Sequence, residues 1–252
     1  MRPTGIERRI VAGAAAVLIA ALTGARADAG AGDVTADWSP TPFQATYAVQ
    51  WKGMHAGTSK LELRHTGGDA WVYDSRNNAR GLFRLAIPDT VRQTSELRYV
   101  DGRVQPLHFR GDDGGEATNR DVALDFDWQR GRVTGVAEDK TVDLAAPADV
   151  QDPMSVQLVQ MHAAATGRVP QRMHTIDKNE IKAYDFTRVG TQHLATAIGE
   201  LDTVIFESRR PGSSRVIRLW MAPSLGYLPV RAERRRGDKL EFAMAIREYR
   251  RG

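Results

Sequence analysis

The chain has 252 residues with 35 Lys/Arg, 31 Asp/Glu and no cysteine. The missing thiols exclude disulfides, thiolate metal sites and a lipidated cysteine. Once the first 27 residues are set aside, 31 basic residues face 30 acidic ones, so overall charge gives no reason to expect nucleic acid as a partner.

Those first residues read as a secretory signal. Arg2, Arg8 and Arg9 form a positive start, Ile10 to Leu22 is almost wholly apolar, and Ala25-Arg26-Ala27 supplies small residues at a cleavage site. The apolar run is shorter than the roughly 20 residues a bilayer-spanning helix needs. The expectation is export to the periplasm with cleavage after Ala27, and a mature form without a transmembrane anchor. Residues 28–41 are small and polar and read as a flexible leader. Residues 42–250 then read as a single β-rich domain.

Strict alternation begins at Phe43. Phe43, Ala45, Tyr47, Val49 and Trp51 share one parity, with mostly polar residues between them, the mark of a half-buried strand. Glycine-containing turns lead into Ser59-Leu61-Leu63 and then Trp71-Tyr73-Ser75. Gly81 to Pro88 breaks the rule, because Leu82, Phe83, Leu85 and Ile87 fall close together. It reads either as a fully buried strand or as an apolar loop that closes over a ligand or touches a partner. Val91 to Tyr99 alternates again, and Asp101-Gly102 signals a hairpin. Leu107 and Phe109 precede the breaker Gly111-Asp112-Asp113-Gly114-Gly115, after which Val122 to Trp128 alternates.

One segment has a different period. Asp152 as N-cap, Pro153 in the first turn and Gly167 past the end punctuate a helix over 152–166. Strands resume around Tyr184-Phe186, Val204-Phe206 and Val216-Met221. Leu228, Val230 and Ala232 then alternate toward the turn Arg236-Gly237-Asp238, and Leu240, Phe242, Met244 and Ile246 complete a final hairpin. The predicted class is mainly β: one antiparallel curved sheet or incomplete barrel with one principal helix.

Chemistry-bearing patterns are sparse. The six histidines show no zinc-helix spacing and the chain has no phosphate loop or Gly-x-Ser-x-Gly elbow, so no metal, cofactor or catalytic set is assigned. Asp125 and Asp127 share one strand face, the arrangement an envelope hydrolase would need, although solvent is the simpler location for that face. Arg234-Arg235-Arg236 reads as a solubilising hairpin tip or a contact for anionic headgroups. The aromatic residues say more. Trp51, Trp71, Phe83, Leu85, Tyr99, Trp128 and Trp220 are the candidate ligand-binding residues, because curved sheets around a helix can enclose an apolar cavity.

Three strings carry a resemblance. Trp51-Lys52-Gly53-Met54-His55-Ala56-Gly57-Thr58, Gln151-Asp152-Pro153-Met154-Ser155, and Trp220-Met221-Ala222-Pro223 running to Leu228-Pro229-Val230-Arg231 resemble an exported bacterial family catalogued as domain of unknown function 3108. The final hairpin is more loosely similar to the periplasmic lipoprotein-carrier superfamily, incomplete barrels that hold acyl chains. That likeness implies a non-catalytic protein binding or carrying an apolar or lipid-like ligand. The alternatives are an interaction protein for envelope assembly, with an envelope protein as partner, and a hydrolase using Asp125 and Asp127.

Overall fold

The computed structural model describes residues 38–85, 90–115 and 117–252. The expected signal segment, residues 28–37 of the leader, and residues 86–89 after the apolar turn lie outside the described residues. Fifteen strands and one α-helix are found among those described. In chain order the strands are β1 (Phe43–Trp51), β2 (Met54–Gly67), β3 (Ala70–Ala79), β4 (Val91–Val100), β5 (Arg103–Asp112), β6 (Val122–Asp127), β7 (Arg132–Ala137) and β8 (Lys140–Ala145). After β9 (Val150–Gln151) comes helix α1 (Ser155–Thr166), then β10 (Met173–Asp177), β11 (Glu180–Thr196), β12 (Gly199–Arg209), β13 (Arg215–Ala222), β14 (Leu228–Arg236) and β15 (Lys239–Arg251).

All fifteen strands belong to one unclosed sheet in the order β8-β7-β6-β5-β4-β3-β2-β1-β15-β14-β13-β12-β11-β10-β9. The chain therefore meanders outward in both directions from the central β1–β15 pair. Its two edges, β8 and β9, are consecutive in sequence and joined only by residues 146–149. So short a link requires the sheet to curl until its edges approach, which gives an incomplete barrel. Bulges at Thr46/Tyr47, His65/Gly67, Glu96/Leu97 and Trp220/Met221 supply local bends. Gly57 and Gly135 supply two more. A Cβ at either would lie 2.0 Å from a facing carbonyl oxygen, that of Asn78 and Ala123 respectively, so only glycine lets the backbones approach there.

The expectation of a wholly antiparallel sheet needs one correction. β9 pairs parallel with β10 through His174↔Val150 and Thr175↔Gln151. The cause is α1, which crosses between them and makes a βαβ unit at one edge. β8, β9 and β10 escaped sequence reading because they are short and carry no aromatic alternation.

Helix α1 lies inside the curl. Every residue of it except Val159 and His162 is buried, and Ala163, Ala164 and Ala165 keep it thin enough to fit. The helix begins three residues later than expected, yet Asp152 does cap it. Its Oδ1 accepts from the N–H groups of Met154 (2.6 Å) and Ser155 (2.8 Å), while Ser155 Oγ accepts from the N–H of Asp152 at 3.0 Å. This reciprocal exchange is a capping box, in which each side chain satisfies a backbone donor that has no partner within the helix. The second Asp152 oxygen accepts from Ser95 Oγ on β4 at 2.5 Å, which ties the helix start to the sheet. Asp152 is 0% exposed, and burial pushes its carboxyl above the ordinary carboxylate range despite bonds from Ser95, Ser155 and Met154 that pull it down.

The concave face forms one continuous core, including Phe43, Tyr47, Leu63, Tyr73, Phe109 and Leu219. Part of the convex face is also covered. β11 and β12 pair from Asp185↔Arg209 out to Thr196↔Gly199, but β12 pairs with β13 only over Val204–Ser208. The free end of this hairpin folds across the outside of β13–β15, where Gln192 Oε1 accepts from Trp220 Nε1 at 2.8 Å.

Candidate functional site

Antiparallel connections place the turns of the barrel at two rims. The β1–β2, β3–β4, β12–β13 and β14–β15 turns share one rim; this stretch is here called the basic rim, and the acidic β5–β6 and β7–β8 turns, with Asp112, Asp113, Glu138 and Asp139, lie farther along the same end. The β2–β3, β4–β5 and β13–β14 turns share the other, the helix rim.

The helix rim is stoppered. Trp38 meets Tyr99 and His162 edge-on, with ring centroids 5.9 and 5.5 Å apart. Its indole N–H donates to Gly226 O at 3.3 Å, and Tyr99 Oη donates to Trp38 O. Burial, then the nearby Arg168, push the His162 imidazole down, which favours its neutral form. Beside α1, between β5 and the β9–β10 edge, a cleft of about 380 Å³ is lined by Val104, Gln151, Val159, His162 and Met173 among others.

The basic rim is built differently. Residues Gly81–Leu85 form a 3-10 turn, not the buried strand that was one of the two readings, and the apolar-loop reading fits them. Leu82 and Leu85 are 83% and 75% exposed; Phe83 is half-buried. Glycine at φ +57° opens the turn, and Arg80 N–H anchors it to Ala56 O at 2.8 Å. Phe83 and Trp51 pack against Val49, Ala56 and Phe242. Register carries the lining onward: Trp51 faces Phe242, Phe242 faces Arg234, and Arg234 faces Ile217, all on the concave side.

Arg234 overturns its assignment to a solubilising tip. It is 7% exposed, with its guanidinium carbon 5.4 Å from the Trp51 ring centroid. Parity was the available signal, because Arg234 follows Leu228, Val230 and Ala232 at intervals of two. One carboxylate, Glu241, serves three arginines: Arg215 Nε at 2.8 Å, Arg234 Nε at 3.1 Å and Arg236 Nε at 3.4 Å. The Arg234 Nε approach is an ion pair without hydrogen-bond alignment.

Below this rim the interior is polar. Ser59, Ser75, Asn77, Gln93 and Ser95 are buried on the concave face of β2–β4. Tyr73 Oη, Gln93 Oε1, Gln157 Nε2 and Gln160 Oε1 are buried with no hydrogen-bond partner among the described residues. Gln157 and Gln160 lie on the side of α1 opposite its two less buried residues, Val159 and His162, and so toward the inside of the curl. Buried polar atoms are rarely left unsatisfied, and these four give the interior a polar character.

The structure therefore divides the seven sequence candidates. Trp51, Phe83 and Leu85 gather at the basic rim. Tyr99 belongs to the helix-rim stopper. Trp128 sits in the β6–β7 turn and donates to Pro106 O at 2.7 Å. Trp71 packs in the core against His65, 4.7 Å between ring centroids. Trp220 lies on the convex face beneath the β11–β12 overhang, with Arg231 over its ring at 4.8 Å.

Asp125 and Asp127 face outward. Partial burial pushes Asp125 up, but bonds from His108 (2.7 Å) and Arg110 (2.8 Å) outweigh it and hold the carboxyl below its ordinary range. Asp127 Oδ1 accepts from the N–H groups of Gln129 and Arg130, which closes the turn. The carboxylates of Asp112, Asp113 and Asp121 converge within 4.8 Å of one another, and Asp112 and Asp113 bond to Gly114 and Gly115 N–H as turn residues do.

This is the architecture of a barrel-like protein with one stoppered rim and one rim that exposes Leu82 and Leu85 beside arginines. The chain belongs to the family described as Protein of unknown function (DUF3108), whose model matches residues 46–238. No curated protein matches it significantly. Among solved structures it is similar to a β-barrel-like protein of domain of unknown function DUF1849 from Brucella abortus. That match has a TM-score of 0.54 and 13% identity, covering 84% of this chain and 98% of that one. It is also similar to a chain of the MucA/MucB complex of Pseudomonas aeruginosa, at TM-score 0.39 and 14% identity, covering 84% of this chain and 52% of that one. The first likeness supports the fold. No helix of the described residues is long and apolar enough to cross a membrane.

Proposed function

We propose that this is a non-catalytic periplasmic protein that binds or carries an apolar, lipid-like ligand at its basic rim. One observation carries the reading. The Gly81–Leu85 turn packs Phe83 against Trp51 and Phe242 while leaving Leu82 and Leu85 in solvent beside a basic rim. Exposed leucines are unfavourable in water at about 25 cal/mol per Å² of apolar surface, so their placement beside an aromatic lining suits an apolar guest. The export signal expected over residues 1–27 supports the reading, because an exported protein meets envelope lipids.

The test is direct. Protein isolated without detergent is extracted with organic solvent and analysed by mass spectrometry, and stripped protein is titrated with a dodecyl-chain amphiphile while tryptophan fluorescence is followed. A co-purifying lipid-like species is expected, together with a fluorescence change that Trp51→Phe removes. A clean extract and a flat titration would reject the reading.

The exposure of Leu82 and Leu85 also supports a second reading, contact with an envelope protein during assembly. In that case Leu82→Ser/Leu85→Ser would abolish capture of a cross-linked envelope partner, with the fluorescence titration unchanged.

A further inference from the structure

The proposed ligand can be narrowed by the charge at its site. Arg234 is not a rim decoration. It is held on the concave face between Ile217 and Phe242 in register, is almost wholly removed from solvent, and lies over Trp51. Around it, three guanidinium groups share the single Glu241 carboxylate. Arg215 and Arg236 keep access to water while Arg234 does not, so the buried guanidinium shares its one counter-charge with two others. The neighbouring rim adds more positive charge: Lys52, whose N–H donates to Glu241 O at 3.0 Å, and Arg80 and Arg84 on either side of Phe83. Burying a charge without compensation is expensive, and charge interactions strengthen as water is excluded. A guanidinium is a planar, permanently charged donor suited to carboxylate and phosphate oxygens. Directly beside it lies the apolar lining of Phe242, Val49 and Met244.

We infer that the basic-rim site takes an amphiphile with an anionic headgroup, the phosphate or carboxylate against Arg234 and the acyl chain against Trp51, Phe83 and Phe242. This rests on the ligand-binding reading above and narrows it. Neither part of the site suffices alone: the arginines without the lining would take free phosphate, and the lining without the arginines would take any detergent.

The experiment separates these cases. The intact protein is titrated below the critical micelle concentration with dodecyl phosphate, dodecylphosphocholine, dodecyl maltoside and, separately, inorganic phosphate. Tryptophan fluorescence is read against a Trp51→Phe control. Dodecyl phosphate is expected to bind about tenfold more tightly than the other two dodecyl probes, the preference falling with salt as a charge contact requires. Arg234→Met should reduce the three affinities to near equality. Arg234→Lys keeps a charge but not the planar fork and should retain part of the preference. Both variants are checked for a wild-type circular dichroism spectrum, and if Arg234→Met fails to fold, the lysine variant and the salt series decide. Equal binding of the three dodecyl probes would overturn the headgroup assignment and leave the ligand-binding reading standing. Free phosphate binding as tightly as dodecyl phosphate would overturn the acyl-chain assignment. Binding of no probe would overturn both readings together.

Discussion

The two rims of the barrel solve opposite problems with the same kinds of residue. At the helix rim, Trp38, Tyr99 and His162 meet one another, and at the inner end of the same helix Asp152 spends its hydrogen-bonding capacity on backbone N–H groups and Ser95. At the basic rim, Trp51 and Phe83 form only part of a lining, Leu82 and Leu85 stand in water, and three arginines divide one carboxylate. The first arrangement is internally satisfied. The second leaves apolar side chains in water and positive charge in excess of its one carboxylate, and the proposed function rests on that difference.

The sharpest way to break this comparison is Asp152→Ala. It removes the cap from two N–H groups and leaves Ser95 without its acceptor in a dry interior, so a loss of about 3 kcal/mol is expected by denaturant unfolding. Asp152→Asn should cost much less, and pH should tell the two carboxyl states apart. The folded-state value of Asp152 is raised above 3.8, so its contribution is fully present at lower pH and is lost as pH rises through that raised value. Wild type should therefore lose stability relative to Asp152→Asn as pH climbs from the ordinary carboxylate range. Parallel pH curves would show that the helix start is not the buried polar anchor described here.

Glu241→Gln should have a smaller effect, about 2 kcal/mol, because it strands Arg234 in the lining while Arg215 and Arg236 keep access to water. If the inference about the headgroup holds, saturating dodecyl phosphate should recover part of that loss, which a thermal melt would detect. Smallest is Leu82→Ser/Leu85→Ser. Both side chains are exposed, so stability should stay within about 0.5 kcal/mol of wild type. A large drop in melting temperature would mean that these leucines belong to the core and not to the contact rim.

Much of the fold is legible in the sequence because the signals are local. The alternation from Phe43 to Trp51 and from Leu240 to Ile246 marks β1 and β15, and Asp152 with Gly167 brackets the helix. What stayed illegible depends on partners far away in the chain. Trp220 reads like any inward strand aromatic; a hairpin some 20 residues earlier covers it on the other face. Four crowded apolar residues after Gly81 fit a buried strand and an exposed turn equally well, since composition does not say whether a sheet position is free. Arg234 was hidden by its neighbours: Arg235 and Arg236 made a charged tip the natural reading, although its parity pointed inward.

The pairing of β1 with β15 has a consequence for how the molecule is made. These strands lie side by side at the middle of the sheet, so the first strand synthesised would wait for the last before one of its edges is covered. Closing so large a loop costs entropy and slows folding. Meanwhile β1 presents bare amide and carbonyl groups to any other strand nearby. A chain truncated before residue 239 would keep that edge bare, and its predicted fate is self-association through β1.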